Sequence, residues 1–179
     1  LASCCFDVTV IEYPTPTTTL ACNDNIQVSI NEICEAFVST DVILEGGPYS
    51  CYNDYLVAVE GYGSGFGGVT ITSSAIGQTL NVTVTDPSTG NSCSGTISVE
   101  DKIVPQVICS DFTSSCSTYI EPDSTNTPIA TDNCGGVILT YSDEEAPGSC
   151  PGFSTLIRHW VVTDSSGNSN TCDQIISFL

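Results

Sequence analysis

Thr85-Asp86-Pro87-Ser88-Thr89-Gly90-Asn91-Ser92-Cys93, with Ile97 and Val99 beyond it, is one half of a pattern written twice. The other half is Thr163-Asp164-Ser165-Ser166-Gly167-Asn168, which leads to Cys172, Ile176 and Phe178. Each half opens on Asp, Ser, Gly and Asn, residues that suit tight turns because they bond to or relax the local backbone. In each, apolar residues stand four and six positions after the cysteine. That even spacing puts both side chains on one face of an extended strand. A turn that feeds a closing strand, repeated, predicts two modules of one kind.

The rest of the chain agrees. Short alternating runs rich in β-branched residues recur at Phe6–Val10, Tyr55–Val59, Leu80–Val84, Thr96–Val99 and Trp160–Val162. Such runs predict strands with one buried face. Glu45-Gly46-Gly47-Pro48 adds a further turn, and no run carries apolar residues at helical spacing. Many short strands with regular turns predict an all-β chain of sandwich modules. The expected boundaries are residues 20–101 for module one and 102–179 for module two, joined at Asp101-Lys102-Ile103-Val104-Pro105. Residues 13–19 read as an extended Pro/Thr linker. In residues 1–12, Val8 and Val10 repeat the same phase after Cys4. This segment is expected to be the closing strand of a preceding repeat, pairing head to tail with a neighbouring repeat or subunit.

Charge excludes whole classes of partner. The 179 residues carry 2 Lys and Arg against 21 Asp and Glu, a net charge of -19, and the cations are Lys102 and Arg158. So acidic a chain binds neither nucleic acid phosphates nor an anionic membrane. Its carboxylates either keep it soluble or gather a hard cation such as Ca²⁺.

Eleven cysteines without a CxxC pair, beside the single histidine His159, argue against structural zinc and for an oxidising compartment. The start at Leu1, with no long apolar run, leads to the expectation of a mature exported chain without a membrane span. Each module has a cysteine near its first strand and one in its last, so Cys22 is expected to pair with Cys93 and Cys109 with Cys172. Cys34 then pairs with Cys51 inside module one, and Cys134 is assigned to Cys150. Cys4, Cys5 and Cys116 stay unplaced, since sequence does not fix connectivity.

Val107-Ile108-Cys109, Ala130-Thr131-Asp132-Asn133-Cys134-Gly135-Gly136, and His159-Trp160-Val161-Val162-Thr163-Asp164 with Gly167-Asn168 through Cys172 carry a resemblance. Over about residues 103–179 the chain resembles the HYR (hyalin repeat) domain, an immunoglobulin-like extracellular module. Around Leu20–Asp24, Leu44–Pro48 and Ile97–Asp101, module one is similar to units found beside HYR domains in large Bacteroidetes-type surface adhesins. The chain departs at Ser166, where such modules often carry a cysteine, so the pairing within module two stays open. The resemblance implies tandem immunoglobulin-like β-sandwiches on a bacterial cell surface, stapled by disulfides, acting as a structural or adhesive repeat of an extracellular filament.

No catalytic constellation emerges. His159 adjoins Trp160 on a strand, and Trp160 is the better core residue of the two. Glu144-Glu145 lies in Ser142–Glu145, which reads as a solvated turn rather than a glycosidase pair. Gly61–Gly68 reads as a flexible loop, with no helix or lysine to make it a phosphate cradle. The alternative to a structural role is a carbohydrate- or protein-binding face made of Tyr49, Tyr52, Tyr55, Tyr62 and Phe66. For calcium, the candidate ligands are Glu100, Asp101, Asp132, Asn133, Asp164 and Asn168, placed on turns that a sandwich gathers at one end. Such a set resembles the junction sites of cadherin-type repeats. Turns also select Asp and Asn for backbone reasons alone. Ser124, in Asp123-Ser124-Thr125, matches an O-glycosylation motif of Bacteroidetes-type secreted proteins, and Asn81-Val82-Thr83 is an N-glycosylation sequon.

Overall fold

The computed structural model describes residue 9 and residues 16–115, 125–146 and 155–178. The expectations for the N-terminal strand, for Cys4, Cys5, Cys116 and Cys150, and for Ser124 lie outside the described residues. Contacts divide the chain into two compact units, one drawn from Leu1–Val28 and Glu35–Val99, the other from Ser29–Cys34 and Glu100–Leu179. Glu100 and Asp101, expected in module one, therefore go with the second unit, as does the short segment Ser29–Cys34.

The first unit contains β1 (Asn25–Ser29), β2 (Glu35–Ser39), β3 (Leu56–Val59), β4 (Gly63–Phe66), β5 (Gly68–Thr72), β6 (Thr79–Thr85) and β7 (Ser92–Glu100). One sheet runs β1-β7-β6-β3-β4 and the other is the pair β2-β5. Alternation explains the core. Leu80, Val82 and Val84 on β6, Ile97 and Val99 on β7, and Val57 and Val59 on β3 are buried, as are Val38 on β2 and Ile71 on β5. The turn between β6 and β7 is held by Asp86, whose Oδ1 accepts the Ser88 N–H at 2.8 Å and the Ser88 hydroxyl at 2.7 Å. Those bonds favour the ionised form, and they set the Asp86 carboxyl below its ordinary value. Opposite Val82 stands Gly95. A Cβ there would collide with the Asn23 carbonyl oxygen, so only glycine lets the two backbones approach.

Two expectations are corrected here. Gly61–Gly68 is not an open loop, since its centre forms β4, which pairs with β3 from Leu56↔Phe66 to Val59↔Gly63. Glycine at positions with φ of +78° to +82° makes the turn that allows this hairpin. A single helical turn, α1 (Thr40–Ile43), and 3-10 turns at Tyr52–Asp54 and Ser73–Ala75 also occur in a unit expected to be free of helix.

The second unit contains β8 (Gln106–Ile108), β9 (Phe112–Ser114), β10 (Ile129–Thr131), β11 (Val137–Ala146), β12 (Thr155–Asp164) and β13 (Ser169–Phe178). Strands β11-β12-β13-β9 form one sheet and β10-β8 the other. Ser142–Glu145, expected to be a turn, lies within β11 and pairs with residues Leu156 to His159 of β12. Asp143, Glu144 and Glu145 are all exposed on a strand whose partner supplies the ladder bonds, so acidity alone does not mark a turn. Ile176 and Phe178 pack with Phe112 and Leu156. Trp160 and Val162 are buried too, and so is Arg158, at 1% exposure.

Three disulfides hold the described residues: Cys22–Cys93, Cys109–Cys172 and Cys34–Cys134. The last replaces the expected pairs of Cys34 with Cys51 and of Cys134 with Cys150. The sequence argument kept each bond inside one contiguous module, but Ser29–Cys34 packs with the second unit. That brings the Cα of Cys34 to 5.2 Å from that of Cys134, while Cys51 is exposed and has no disulfide partner among the described residues.

Candidate metal centre

The second unit gathers three turns at one end. Asp101 precedes β8, Asp132 follows β10, and Asp164 closes β12. Antiparallel pairing of Thr131 with Gln106 sets the end of β10 beside the start of β8. Asp164 closes β12 in the other sheet, and Asn168 on the turn after it donates to the Asp101 carbonyl at 3.0 Å. As a result, one carboxylate oxygen from each of Asp101, Asp132 and Asp164 lies within 4.8 Å of the others. Asp101 and Asp164 are 6% and 5% exposed.

Each carboxylate is fixed by a backbone N–H two residues ahead. Asp101 Oδ1 accepts from Ile103 at 3.0 Å, Asp132 Oδ2 from Cys134 at 2.9 Å, and Asp164 Oδ1 from Ser166 at 2.9 Å. Asn168 binds Asp164 through both its backbone and side-chain N–H groups, each at 2.8 Å. Burial pushes the Asp164 carboxyl upward, but these donors outweigh it and hold the group below its ordinary value.

The turn geometry accounts for Asp at each position. It does not account for their convergence. At an effective dielectric of about 20, each pair of such charges repels by on the order of 3 kcal/mol. Nor does it account for Asp132 Oδ1 and Asn133 Oδ1, which are buried and, among the described residues, without a hydrogen-bond partner. Buried acceptors without donors are few in folded proteins. A set made wholly of carboxylate and amide oxygens suits a hard divalent cation and not zinc or copper.

The expected ligands separate into roles. Asp101, Asp132 and Asp164 converge, and Asn133 adjoins Asp132 in the chain. Glu100 stays outside the cluster, its Oε1 2.5 Å from Lys102 Nζ. Asn168 turns its amide N–H toward the site, also donating to the Asp101 carbonyl at 3.0 Å, and so positions the carboxylates. Beside Asp132 and Asn133 lies an open cleft of about 340 Å³, bordered by Glu32, Ile103 and Gln106.

Other candidates fall into place. His159 faces outward while Trp160 faces in. Its Nδ1 lies 2.8 Å from Asp173 Oδ1 and its Nε2 3.3 Å from Glu144 Oε2. These bonds, Asp173 first, raise its pKa above the ordinary histidine value. The aromatic group does not form one face: Tyr49 and Tyr55 are core residues and pack edge to face at 6.3 Å. Tyr62 is bonded to Ser74 at 2.6 Å. Phe66 is exposed and borders a cleft of about 620 Å³ with Asn53, Asp54 and Asp86. Asn81, in the sequon, sits on β6 and donates to Glu60 at 2.7 Å.

Sequence reasoning missed a buried polar network. Arg158 grips Asp143 through Nε at 2.7 Å and Nη2 at 2.8 Å, donates to the Thr125 hydroxyl, and lies 4.6 Å over the Tyr141 ring. Gln174 accepts from Trp160 Nε1 at 3.2 Å and donates to the carbonyls of Ser110, Thr125 and Asn126. The signal was present, because Arg158, Trp160, Val162 and Asp164 share one parity on β12 and all are buried.

No family model matches the chain, and no curated protein does. Solved structures are similar to it over most of its length. Drosophila N-cadherin EC1-4 is 14% identical over 87% of this chain and 48% of its own, with a TM-score of 0.28. Human mucin-like protocadherin EC1-2 is 14% identical over 91% and 99%, with a TM-score of 0.31. The two immunoglobulin domains of DIP-gamma are 11% identical over 92% and 98%, with a TM-score of 0.33. The chain spans about half the length of the four-repeat cadherin structures it matches. Among the described residues, no helix is long and apolar enough to cross a membrane.

Proposed function

We propose that this chain is a structural or adhesive repeat unit of an extracellular filament or cell-surface adhesin, its second module clamped by a calcium ion. The observation that carries the reading is the convergence of Asp101, Asp132 and Asp164, together with buried acceptors on Asp132 and Asn133 that lack donors among the described residues. A divalent cation would neutralise their repulsion and supply the partners that Asp132 Oδ1 and Asn133 Oδ1 lack. It would tie together three turns, two of which Asn168 already joins through its bond to the Asp101 carbonyl. The disulfides support an oxidising, extracellular setting, and the charge of -19 supports an environment without anionic partners. The likeness of residues 103–179 to HYR repeats, and of the first module to units of Bacteroidetes-type adhesins, supports a surface repeat that joins its neighbours head to tail. Surface glycan or protein ligands are less well supported, since Tyr49 and Tyr55 are core.

Calorimetric titration of the chelator-stripped, oxidised chain tests the proposal. Calcium is expected to bind at one site, with Asp132→Asn abolishing the heat. An absence of binding at millimolar calcium would leave the carboxylates as solubilising charge.

A further inference from the structure

The Cys34–Cys134 disulfide sits against the ligand turn. Cys134 supplies the N–H that orients Asp132 Oδ2, and Asn133 lies between them. On the other side of the bond, Cys34 ends the short segment Ser29–Cys34. That segment is bonded to both ligand-bearing stretches. Ile30 N–H donates to the Glu100 carbonyl at 3.0 Å, one residue before Asp101. Asn133 Nδ2 donates to the Asn31 carbonyl at 3.1 Å. The segment is a brace with one foot beside Asp101 and another beside Asp132. The disulfide is its covalent anchor.

Cys34 itself adopts φ +63°, in the left-handed region that residues with a Cβ avoid. Its N–H bonds the Asn31 carbonyl at 2.9 Å, the same carbonyl that Asn133 uses. Once the S–S bond is cut, nothing covalent opposes relaxation of Cys34, and with it the Asn31 carbonyl leaves Asn133. The Asn133 amide is then free to turn, and the Asp132 turn loses its support.

We propose that the Cys34–Cys134 disulfide is a positioning element for the calcium site, so that its redox state and calcium occupancy are thermodynamically linked. This rests on the calcium reading above. Linkage is reciprocal: if the oxidised bond raises calcium affinity by a given factor, bound calcium favours the oxidised bond by the same factor. The module would hold calcium in an oxidising medium and release it in a reducing one.

The experiment uses the intact chain in a dithiothreitol redox buffer, with saturating calcium or with EDTA. The dithiol gives two electrons and two protons to the S–S bond, leaving two cysteine thiols and its own cyclic disulfide. Alkylation and peptide mass spectrometry then report the oxidised fraction of each bond separately. Calcium should shift the Cys34–Cys134 equilibrium about tenfold toward the disulfide, near 30 mV for a two-electron couple. Cys109–Cys172, in the same unit but away from the three turns, is the internal control. Stabilisation of the whole unit would protect both bonds alike, whereas local linkage protects Cys34–Cys134 selectively. Asp132→Asn should erase the selective shift, and the Cys34→Ser/Cys134→Ser variant should bind calcium about tenfold more weakly. Equal protection of both bonds, or none, in a chain that binds calcium overturns this inference and leaves the calcium reading standing. A wild-type chain that binds no calcium overturns both.

Discussion

The Arg158–Asp143 pair makes an asymmetric prediction. Arg158 is 1% exposed at its side chain, whereas Asp143 is 30% exposed. Removing the carboxylate with Asp143→Ala takes the bidentate ionic partner away from a guanidinium whose side chain is 1% exposed. Stranding a buried charge in this way costs about 3–5 kcal/mol. Removing the cation with Arg158→Met leaves a carboxylate that can hydrate and an apolar chain that still fills the slot beside Tyr141 and Trp160. The loss is then mainly that of the cation over the rings, about 1–2 kcal/mol. For a domain of this size each kcal/mol moves the melting midpoint by about 4–8 °C. Asp143→Ala should therefore lower it by at least about 12 °C, and Arg158→Met by about half as much. The chain has one tryptophan, Trp160, bonded into this network, so its fluorescence reports the second unit specifically. The double variant should resemble Arg158→Met, because the stranded charge is gone. Equal midpoints for the two single variants, or a greater loss for Arg158→Met, would refute the reasoning.

Calcium at one hundred times its dissociation constant should stabilise the second unit by about 2.7 kcal/mol, and Asp101→Asn with Asp164→Asn should blunt the rise in its melting midpoint. His159 has a folded pKa raised by Asp173 and Glu144, so its contribution is full below the unfolded value near 6.5 and is lost as pH rises through the folded value. An NMR titration should find that pKa restored to the ordinary range in Glu144→Gln/Asp173→Asn, whose stability deficit appears on the acid side alone. Gly95→Ala forces a methyl onto the Asn23 carbonyl and should cost about 1–3 kcal/mol or more, while Gly136→Ala, which meets nothing within 4 Å, should be close to neutral. Cys22→Ala/Cys93→Ala opens a loop with a sequence separation of 71 and should cost the first unit about 4 kcal/mol in the chain-entropy account, read as a lower urea midpoint.

The sequence by itself determined the strand class and the phase of both closing hairpins. Ile97, Val99, Ile176 and Phe178 are buried because a period of two is a local property of extended backbone. It also determined which oxygens were candidates for calcium, since turn chemistry is written in Asp and Asn. Only the tertiary structure decided which of them meet. Asp101, Asp132 and Asp164 converge because one register sets the end of β10 beside the start of β8 and Asn168 bonds the turn after β12 to Asp101, while Glu100 stays outside the cluster. Registers are long-range facts, fixed by packing between residues far apart in the chain. The same holds for Cys34, whose partner lies a sequence separation of 100 away because a six-residue segment packs outside its own module. Arg158 stood between the two. Its parity was legible, but a buried cation is stable only where Asp143, Thr125 and two aromatic rings surround it, and the fold alone assembles that surrounding.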